Sequence, residues 1–595
     1  MTTAHIQATA RGGTWLLEES DPAAVFTPDK ITDEHRLMAQ ATEEFVEQRL
    51  LPQLEQLETK DWALARTLVK QCGELGLFGV NVSEEYGGVD LDKVASLIVS
   101  ERVAKVASFA ATFGAQANLC ILPIYLFGTD AQKHKYLPGL VSGDLVGAYA
   151  LSESGSGSDA LSARTRATKQ PDGSWVLSGE KMWITNGGFA DVIVVFAKVD
   201  GEHFTAFIVE RNFPGVASGK EEHKMGLHGS STTPILLQDA KIPADNVLGE
   251  IGKGHKVALN TLNFGRFKLG AMCTGGCKSA IGDAARYAAE RHQFGQPIAA
   301  FGAIKHKLGE MIARTYALES LMYRTAGLID AVVDARASGA HDAQDVAKAV
   351  EEFAMEASIA KVAGSETLDY VLDENVQIHG GNGYVKDYPA ERYYRDARVN
   401  RIFEGTNEIN RMLIPGMLIR KALKGDLPLV AAAKKLQDDL LTPGALAVAR
   451  EGGVLDAEID AVAAFKKVAL MVLGTAMQTY GAKLNDEQEI LSYAADILID
   501  AYAAESAVLR AKAATLGSDA RQALHRDAAQ VFVSDAAQRI AAAARAALAG
   551  MAAGDTLRTL LAALKRLLKV TPVNGVAIRR RLADAAGAHG GYIFS

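Results

Sequence analysis

The feature that most constrains the fold of this chain is a β-rich segment that has helical sequence on both sides. Between Val146 and Leu248, short apolar runs such as DVIVVFAKV and HFTAFIVER alternate with Gly, Asp and Pro turn residues. Before this segment, and again from His255, apolar residues recur at three- and four-residue spacing, as at Leu64 and Leu68. Ligand sites often form where domains meet, so the two junctions are the first places to search for chemistry.

We predict a multidomain α+β fold whose parts follow one another along the 595 residues. The predicted parts are an N-terminal extension (1–31), a helical domain (32–145), a β domain (146–254), a second helical domain (255–423) and an Ala-rich additional helical domain (424–595). Strands do not alternate regularly with helices, and neither GSGSDA nor HGGNGY has the GxGxxG spacing. A doubly wound nucleotide-binding fold is therefore disfavoured.

Charge and cysteine content exclude some classes of protein. The chain has 63 Lys and Arg against 71 Asp and Glu, a net charge of −8, which argues against binding to nucleic acid phosphates. Four cysteines are too few for a disulfide framework and favour a reducing compartment. The N-terminus lacks a secretory signal pattern, and we expect no bilayer-spanning stretch, so a cytoplasmic location is expected.

Two segments of the β domain carry candidate chemistry. A loop dense in Gly and Ser runs from Tyr149 to Asp159, and such loops let backbone N–H groups approach phosphate oxygens. On composition alone it fits a flexible surface turn equally well. The segment KMWITNG places Trp183 beside hydroxyl and amide groups, an arrangement suited to stacking on a planar cofactor. On physical grounds alone, a core Trp at a strand end is the somewhat favoured alternative.

Two more segments lie in the second helical domain. RHQFGQP, beginning at Arg291, offers a cation and an aromatic ring between two helices, although a capped turn has the same pattern. The segments QIHGGNGY, from Gln377, and RIFEGTNE, ending at Glu408, form the last cluster. Within it Glu404 precedes a glycine, and desolvation there would raise its pKa toward that of a general base. An isolated Glu is usually a solvated surface group, so this interpretation depends on its neighbours.

Taken together and in this order, these segments resemble the acyl-CoA dehydrogenase family of flavoenzymes, from about Thr32 to Leu423. The resemblance implies a middle β-barrel or β-sandwich domain, a four-helix bundle after it, FAD as cofactor and an acyl-CoA substrate. It also implies that Glu404 removes the α-proton while the β-hydride passes to flavin N5, which gives a trans-2-enoyl-CoA. FEGTNEINR, LNFGRF and the additional domain are most similar to the very-long-chain branch, which implies a homodimer.

The resemblance assigns roles residue by residue. The residues it assigns to FAD are Tyr149, Leu151, Ser152, Gly157, Ser158, Trp183, Ile184, Thr185, Arg291, Phe294, Gln377, Ile378, Gly380, Gly381, Thr406, Asn407 and Glu408. The residues it assigns to acyl-CoA are Ser158, Asn263, Arg266, Phe403 and Gly405. In this assignment Arg291 and Phe294 reach the FAD of a neighbouring subunit, and Arg266 lies near the CoA moiety. No metal site is expected, because Cys273 and Cys277 have no second ligand pair.

The sequence also departs from the family pattern. The flavin loop reads Ser152-Glu153-Ser154 where the family usually has Thr-Glu-Pro. Cys120 and Pro123 fall where the very-long-chain enzymes have glycines that open the acyl tunnel. We therefore expect a substrate of medium-to-long rather than firmly very long chain.

Three questions stay open at this stage. The resemblance implies electron-transfer flavoprotein as electron acceptor, but an acyl-CoA oxidase that uses oxygen, or a scaffold protein, remains an alternative. The additional domain contains a helix with Leu557, Leu560, Leu561, Leu564 and Leu568 on one face beside basic residues. This pattern favours packing on the domain by about two to one over a weak contact with a membrane surface.

Overall fold

The structure is a computed structural model that describes residues 11–336, 343–442, 450, 452–516 and 520–594. The first ten residues of the predicted extension lie outside the described residues, as do short parts of the predicted additional domain. The predicted multidomain α+β architecture is confirmed: helices, a β-sheet, a helical bundle and further helices follow one another along the chain.

The N-terminal part is helical. Its α-helices are α1 (Asp33–Phe45), α2 (Leu54–Glu58), α3 (Trp62–Glu74), α4 (Lys93–Val103), α5 (Ala107–Gly114), α6 (Leu122–Phe127) and α7 (Asp130–Val141). Side chains cap several N-termini: Asp92 accepts the N–H of Ala95 at 2.7 Å, and Thr129 forms a capping box with Gln132. These caps satisfy N–H groups that have no partner within the helix.

One described helical run is long and apolar enough to cross a membrane, contrary to the expectation of no bilayer-spanning stretch. It spans Ala107–Phe127, and 78% of its most apolar window is buried inside the protein. The run joins α5 to α6 through a π-helical turn over Ala115–Ile121. Its burial identifies it as a core helix that packs against the β-sheet and the bundle.

The middle part is an eight-stranded sheet. Its strands are β1 (Gly147–Ala150), β2 (Arg166–Lys169), β3 (Trp175–Thr185), β4 (Val192–Val199), β5 (His203–Glu210), β6 (Val216–Ser218), β7 (Thr232–Ile242) and β8 (Val247–Leu248). They are ordered β6-β7-β3-β2-β4-β5-β8, with β1 parallel to β4. The sheet shares an apolar core with the N-terminal helices, so both contribute to the same interface.

The rest of the chain is almost entirely helical. The bundle contains α8 (Gly254–Glu290), a hairpin of β9 (His292–Gln293) and β10 (Gln296–Pro297), α9 (Gly302–Arg336), α10 (Ala343–Glu352), α11 (Ala354–His379), α12 (Ala390–Ala397) and α13 (Asn407–Lys424). The additional domain contains α14 (Leu429–Leu441), α15 (Asp456–Tyr480), α16 (Gln488–Leu516), α17 (Gln522–Met551), α18 (Gly554–Leu567) and α19 (Gly575–His589).

The bundle and the additional domain share one continuous apolar core. Charged contacts cross the same interface: Arg510 of α16 pairs with Glu319 of α9, and Arg579 of α19 pairs with Glu310 of α9. Because Arg510 and Glu319 are both fully buried, removal of Glu319 would leave the guanidinium of Arg510 as a buried charge without its carboxylate. The additional domain is therefore an integral part of the folded chain.

Helix α18 turns its leucines toward this core. Leu564 and Leu567 are buried, while Leu557, Leu560 and Leu561 are partly buried and pack against the same cluster. The favoured interpretation of the leucine face, packing on the domain, agrees with these contacts.

Candidate active site

The backbone at Glu404 has an unusual conformation. Glu404 and Gly405 lie between a 3₁₀ turn that ends at Arg401 and helix α13, and their φ angles are +57° and +79°. A left-handed conformation is unfavourable for a residue with a side chain, so it persists only where the surroundings hold it. Thr406 fixes the next step, because its hydroxyl accepts the N–H of Ile409 at 3.2 Å and caps α13.

Three side chains hold the carbonyl groups of this turn. The Nζ of Lys361 and the Nδ2 of Asn410 donate to the carbonyl oxygen of Gly405, at 2.7 Å and 2.8 Å. The Nε of Arg266 donates to the carbonyl oxygen of Glu404 at 3.3 Å. Helices α8, α11 and α13 thus each contribute one donor, and together they fix the turn that carries the carboxylate.

The carboxylate of Glu404 is enclosed and incompletely satisfied. Its Oε2 is buried without a hydrogen-bond partner. Burial raises the pKa of Glu404 to about 7, although the nearby cations Arg266 and Lys361 act in the opposite direction. The hydroxyl of Tyr149 on β1 is also buried without a partner, and its pKa is raised by burial and by the charge of Glu404. The site therefore holds a carboxylate suited to proton transfer near neutral pH.

An apolar cleft leads away from Phe403, the residue before the carboxylate. It is lined by Ala104, Lys105, Ala107, Ala110, Ala111, Leu227, Leu269, Met272, Gly276, Ser279, Leu368, Leu372, Tyr393, Asp396, Ala397, Asn400 and Phe403. The lining comes from the α4–α5 junction, α5, α8, α11 and α12, together with Leu227, Asn400 and Phe403 from connecting segments. Small alanines form the side contributed by α5, so the cleft remains open there.

The expectation that Cys120 and Pro123 lie beside an acyl tunnel finds no counterpart in this cleft. Neither is among the described residues that line this cleft. Cys120 instead lies against β1 and β4, where its Sγ donates to the carbonyl oxygen of Val192 at 3.7 Å. The helical run turns Ala107, Ala110 and Ala111 toward the cleft, because residues three and four apart share a face.

A buried charge pair between Glu153 and Lys181 holds the Gly- and Ser-rich loop in place. Glu153 accepts from the Nζ of Lys181 at 2.7 Å, from the hydroxyl of Thr165 at 2.6 Å and from the N–H of Arg164 at 2.6 Å. Ser152 lies one residue before, and its carbonyl oxygen accepts the N–H of Met182 at 3.0 Å. The loop is thereby tied to the strand that carries Trp183.

The outer part of this loop is open. Gly157 and Ser158 are exposed, whereas Leu151 at the start of the loop is buried. A Cβ added at Gly155 or Gly157 would meet no atom within 4 Å. The backbone of the loop is therefore accessible to a ligand.

Trp183 is not in the core. It has φ of +59° at a β-bulge between Lys181 and Ile184, and it is 60% exposed. The bulge turns the indole outward, while Ile184 is buried and Thr185 pairs with Thr232 of β7. An exposed indole beside an open loop is suited to contact with a planar ligand.

Arg291 and Phe294 lie on the exposed β9–β10 hairpin. Phe294 has φ of +54°, is 93% exposed and contacts Phe301, with ring centroids 6.0 Å apart. Gln377, Gly380 and Gly381 are also exposed, at the C-terminal end of α11, whereas Ile378 is buried. Within one chain these residues form two solvent-facing edges, and nothing in the described contacts connects them to Glu404.

Asn263 and Arg266 differ from the expectation for residues that contact CoA. Arg266 is buried, and its Nη1 donates to the Oδ1 of Asn263 at 2.9 Å while its Nε faces Glu404. A guanidinium that is committed to these internal acceptors is not presented to solvent for anionic groups. The two residues belong to the surroundings of the carboxylate.

Sequence reasoning missed Lys361, and also Glu153 and Lys181 as a buried pair. Lys361 is fully buried in α11 and donates both to Gly405 and to the Oδ1 of Asn407, each at 2.7 Å. The available signal was a single Lys among small and apolar residues in ASIAKVAGSE. Asn407, assigned to FAD from the resemblance, is buried and connects Lys361 to Ser365 and Glu366, while Glu408 is exposed.

Comparison with known proteins identifies the family. Four family descriptions match: the acyl-CoA dehydrogenase N-terminal domain at residues 32–144, the middle domain at 148–240 and two C-terminal domains at 252–418 and 464–566. The chain belongs to the acyl-CoA dehydrogenase family. The fourth match shows that the additional helices also have counterparts among acyl-CoA dehydrogenases.

Individual acyl-CoA dehydrogenases match along different lengths. A probable acyl-CoA dehydrogenase of Bacillus subtilis is 47% identical over 581 residues, 96% of this chain and 97% of its own. The crystal structure of an acyl-CoA dehydrogenase from Bacillus anthracis, complexed with FAD, is 46% identical, covers 98% of this chain and all of its own, and has a TM-score of 0.96. A very-long-chain specific enzyme of Macaca fascicularis is 42% identical over 58% of this chain and 52% of its own. These matches do not single out the very-long-chain branch.

Proposed function

We propose that this protein is an FAD-dependent acyl-CoA dehydrogenase that converts an acyl-CoA into the trans-2-enoyl-CoA, with Glu404 as the base. The observation that carries the proposal is the buried, unpartnered Oε2 of Glu404, whose neighbour in sequence, Phe403, lines an apolar cleft. A carboxylate oxygen with no internal partner is free to accept a proton from a bound substrate. Family membership and the FAD in the Bacillus anthracis structure support the same reaction.

The residues around the loop and bulge fit a flavin. An open Gly- and Ser-rich backbone suits a pyrophosphate, and the exposed Trp183 offers an aromatic face to a planar ring. Leu151 and Ser152 lie at the start of the same loop, beside the strand that carries Thr185. In this proposal these residues and Gly157 and Ser158 hold the flavin. When bound, FAD supplies the chemistry of accepting a hydride from the substrate Cβ.

Glu404 performs the proton transfer. A thioester Cα–H is a weak acid, so the base must be close, desolvated and ionised in a useful fraction of molecules near neutral pH. Its pKa of about 7 meets the last condition. The backbone N–H of Glu404 donates to no acceptor in the part of the chain that the structure describes, so it is available for the thioester carbonyl oxygen. Such a donor stabilises the negative charge that develops when the proton leaves.

The cleft beyond Phe403 is the proposed site for the acyl chain. Its walls are mostly apolar, and alanines on α5 leave room for a chain that extends past Met272 and Leu372. We propose a medium-to-long or very long acyl group as the substrate. The proposal of a very long chain rests on the likeness of FEGTNEINR, LNFGRF and the additional domain to the very-long-chain branch.

The exposed β9–β10 hairpin supports a homodimer. Phe294 presents its ring to solvent almost completely, and Gly380 and Gly381 offer an open backbone at another edge. In a dimer, Arg291 and Phe294 of one subunit would complete the cofactor site of the other. Electron-transfer flavoprotein is the proposed acceptor of the electrons.

The test is anaerobic addition of straight-chain acyl-CoA thioesters of increasing length to the purified yellow protein. Bleaching of the flavin absorbance by at least one thioester, with formation of enoyl-CoA, is the expected result. A protein without bound flavin, or a flavin that no acyl-CoA reduces, would overturn the proposal. Stoichiometric hydrogen peroxide during aerobic turnover would identify the oxidase alternative instead.

A further inference from the structure

A continuous chain of polar contacts joins the additional domain to the turn that carries Glu404. Its outermost member is Asp496 on α16, whose Oδ1 accepts from the Nε of Arg411 on α13 at 2.8 Å. The other two guanidinium nitrogens of Arg411, Nη1 and Nη2, donate to the two carboxylate oxygens of Glu366 on α11, at 2.7 Å and 2.9 Å. This bidentate geometry fixes the plane of the guanidinium, so Arg411 of α13 is held against both α11 and α16.

The chain continues inward from Glu366. Its Oε1 also accepts from the Nδ2 of Asn407 at 3.0 Å, which orients the amide so that its Oδ1 faces Lys361. Lys361 then donates to that Oδ1 and to the carbonyl oxygen of Gly405, each at 2.7 Å. Lys361 and Asn407 are both buried, so solvent does not replace either contact.

We propose that Lys361 is a positioning residue for the base Glu404, and that Asp496 of the additional domain sets the position of Lys361 through Arg411, Glu366 and Asn407. The inference rests on the proposed function of Glu404 as base. Its physical ground is the pair of left-handed residues at the turn, whose conformation requires external donors. Lys361 supplies one of these donors and, as a cation, also favours the ionised carboxylate.

Several charged or titratable groups face Glu404 and Lys361, and most of them affect the pKa of one or both. Arg266 from α8 and Lys361 from α11 lower the pKa of Glu404. Tyr149 from β1 faces the same carboxylate, whose charge raises the pKa of the Tyr149 hydroxyl. The groups that act on Lys361, beyond burial, are Cys273, Glu404, Arg266 and Glu408. Lys361 is the cation of this set that also holds the Gly405 carbonyl, so its replacement affects both geometry and charge.

The additional domain offers a matched control. Asp500 lies one turn after Asp496 on α16 and lines the same cavity between the bundle and the additional domain. It pairs with Arg539 on α17, with Nη2 to Oδ1 at 2.7 Å, so its contact stays within the additional domain. Asp496→Asn and Asp500→Asn therefore remove the same charge from the same helix and cavity, but only the first removes the ion pair with Arg411 that begins the chain to Glu404.

The experiment measures anaerobic flavin reduction of the holoprotein by acyl-CoA as a function of pH. We expect Lys361→Gln to slow reduction by roughly 100-fold and to move the rising limb to higher pH, because loss of a cation raises the pKa of Glu404. Asp496→Asn should slow reduction roughly 2- to 30-fold, and Asp500→Asn should match the wild type. In the Lys361→Gln background, Asp496→Asn should have no further effect, because both act through the same contact.

Hydrogen–deuterium exchange provides a readout that does not depend on turnover. Faster exchange confined to residues 402–410 is expected in Lys361→Gln and Asp496→Asn but not in Asp500→Asn. Additive rate losses in the double variant, an unmoved pH limb in Lys361→Gln, or equal effects of the two Asp substitutions would overturn the inference. A wild-type protein whose flavin no acyl-CoA reduces would refute the proposed function, and unchanged exchange at 402–410 would then refute the inference separately.

Discussion

The carboxylate of Glu404 lies directly over Gly265 of α8. A Cβ placed on Gly265 would come within 2.4 Å of the Oε2 of Glu404 and 2.8 Å of its Cδ. Real Cβ atoms do not approach so closely, so the absence of a side chain at this helix position creates the space for the base. Gly265, which has no reactive side chain, therefore determines where the carboxylate of Glu404 can lie.

Gly265→Ala should therefore displace the carboxylate. Since a 1 Å misplacement of a catalytic group can cost about 100-fold in rate, we expect a loss of that order in flavin reduction by acyl-CoA with the fold retained. Gly282→Ala is the control, because the Cβ added there meets only the flexible end of Arg286, at 3.2 Å. Equal rates in Gly265→Ala and the wild type would show that the base does not need this space.

The rate of flavin reduction should rise with pH through the pKa of Glu404. Burial raises this pKa to about 7, and only the ionised carboxylate accepts the α-proton. At low acyl-CoA concentration, where the rate reports the free enzyme, we expect little reduction at pH 5 and a midpoint near pH 7. A profile that is flat from pH 5 to 8 would exclude a base with this pKa.

Glu404→Gln should separate the roles of Glu404 in chemistry and in stability. We expect FAD to stay bound and reduction by acyl-CoA to be lost, because the amide does not accept the proton. Since the folded pKa lies above the ordinary value of 4.5, ionisation of Glu404 disfavours the folded state. The variant should therefore melt at a higher temperature than the wild type at pH 8, and the difference should vanish near pH 4. Near-normal flavin bleaching would remove Glu404 from the role of base.

The sequence predicted the parts of the site whose signal is local. Glu404 stands before a glycine in FEGTNE, and the Gly- and Ser-rich loop follows a strand, so both are visible without any long-range contact. The β domain between helical parts follows in the same way from periodicity, although the strand number and order come from the structure.

The parts of the site that could not be predicted from the sequence depend on packing between elements that are far apart along the chain. Lys361 stands alone among small and apolar residues, but its partner becomes known only when α11 is placed against the turn at Gly405. The family resemblance placed Arg266 near CoA, but its burial beside Glu404 depends on how α8 meets that turn. The face of the run Ala107–Phe127 that meets the cleft likewise depends on α8 and α12, so the sequence did not place Cys120 against β1 and β4.

Loss of the buried pair between Glu153 and Lys181 should destabilise the loop that we propose to hold FAD. Lys181→Met leaves Glu153 as a buried charge without its cation, and breaking such a pair costs about 3–5 kcal/mol. We expect a lower melting temperature and less bound FAD per chain, measured by absorbance after gel filtration. Combination with Glu153→Gln should recover part of the loss, because the unpaired charge is then removed. Lys241→Met, on the exposed face of the neighbouring strand β7, is the control.

The residues that line the cleft indicate where a substitution would change the preferred length of the acyl chain. Ala111 lines the side of the cleft contributed by α5, so Ala111→Phe should fill it and shift the preferred acyl-CoA to a shorter chain. The expected result is a loss of flavin reduction by the longest thioesters with retention of that by the shortest, since the carboxylate and the head of the cleft at Phe403 stay in place. Cys120→Ala should leave the chain-length profile unchanged, because Cys120 packs against β1 and β4 outside the cleft. A shift in the profile with Cys120→Ala, together with no shift in Ala111→Phe, would place the acyl chain along the other face of this helical run.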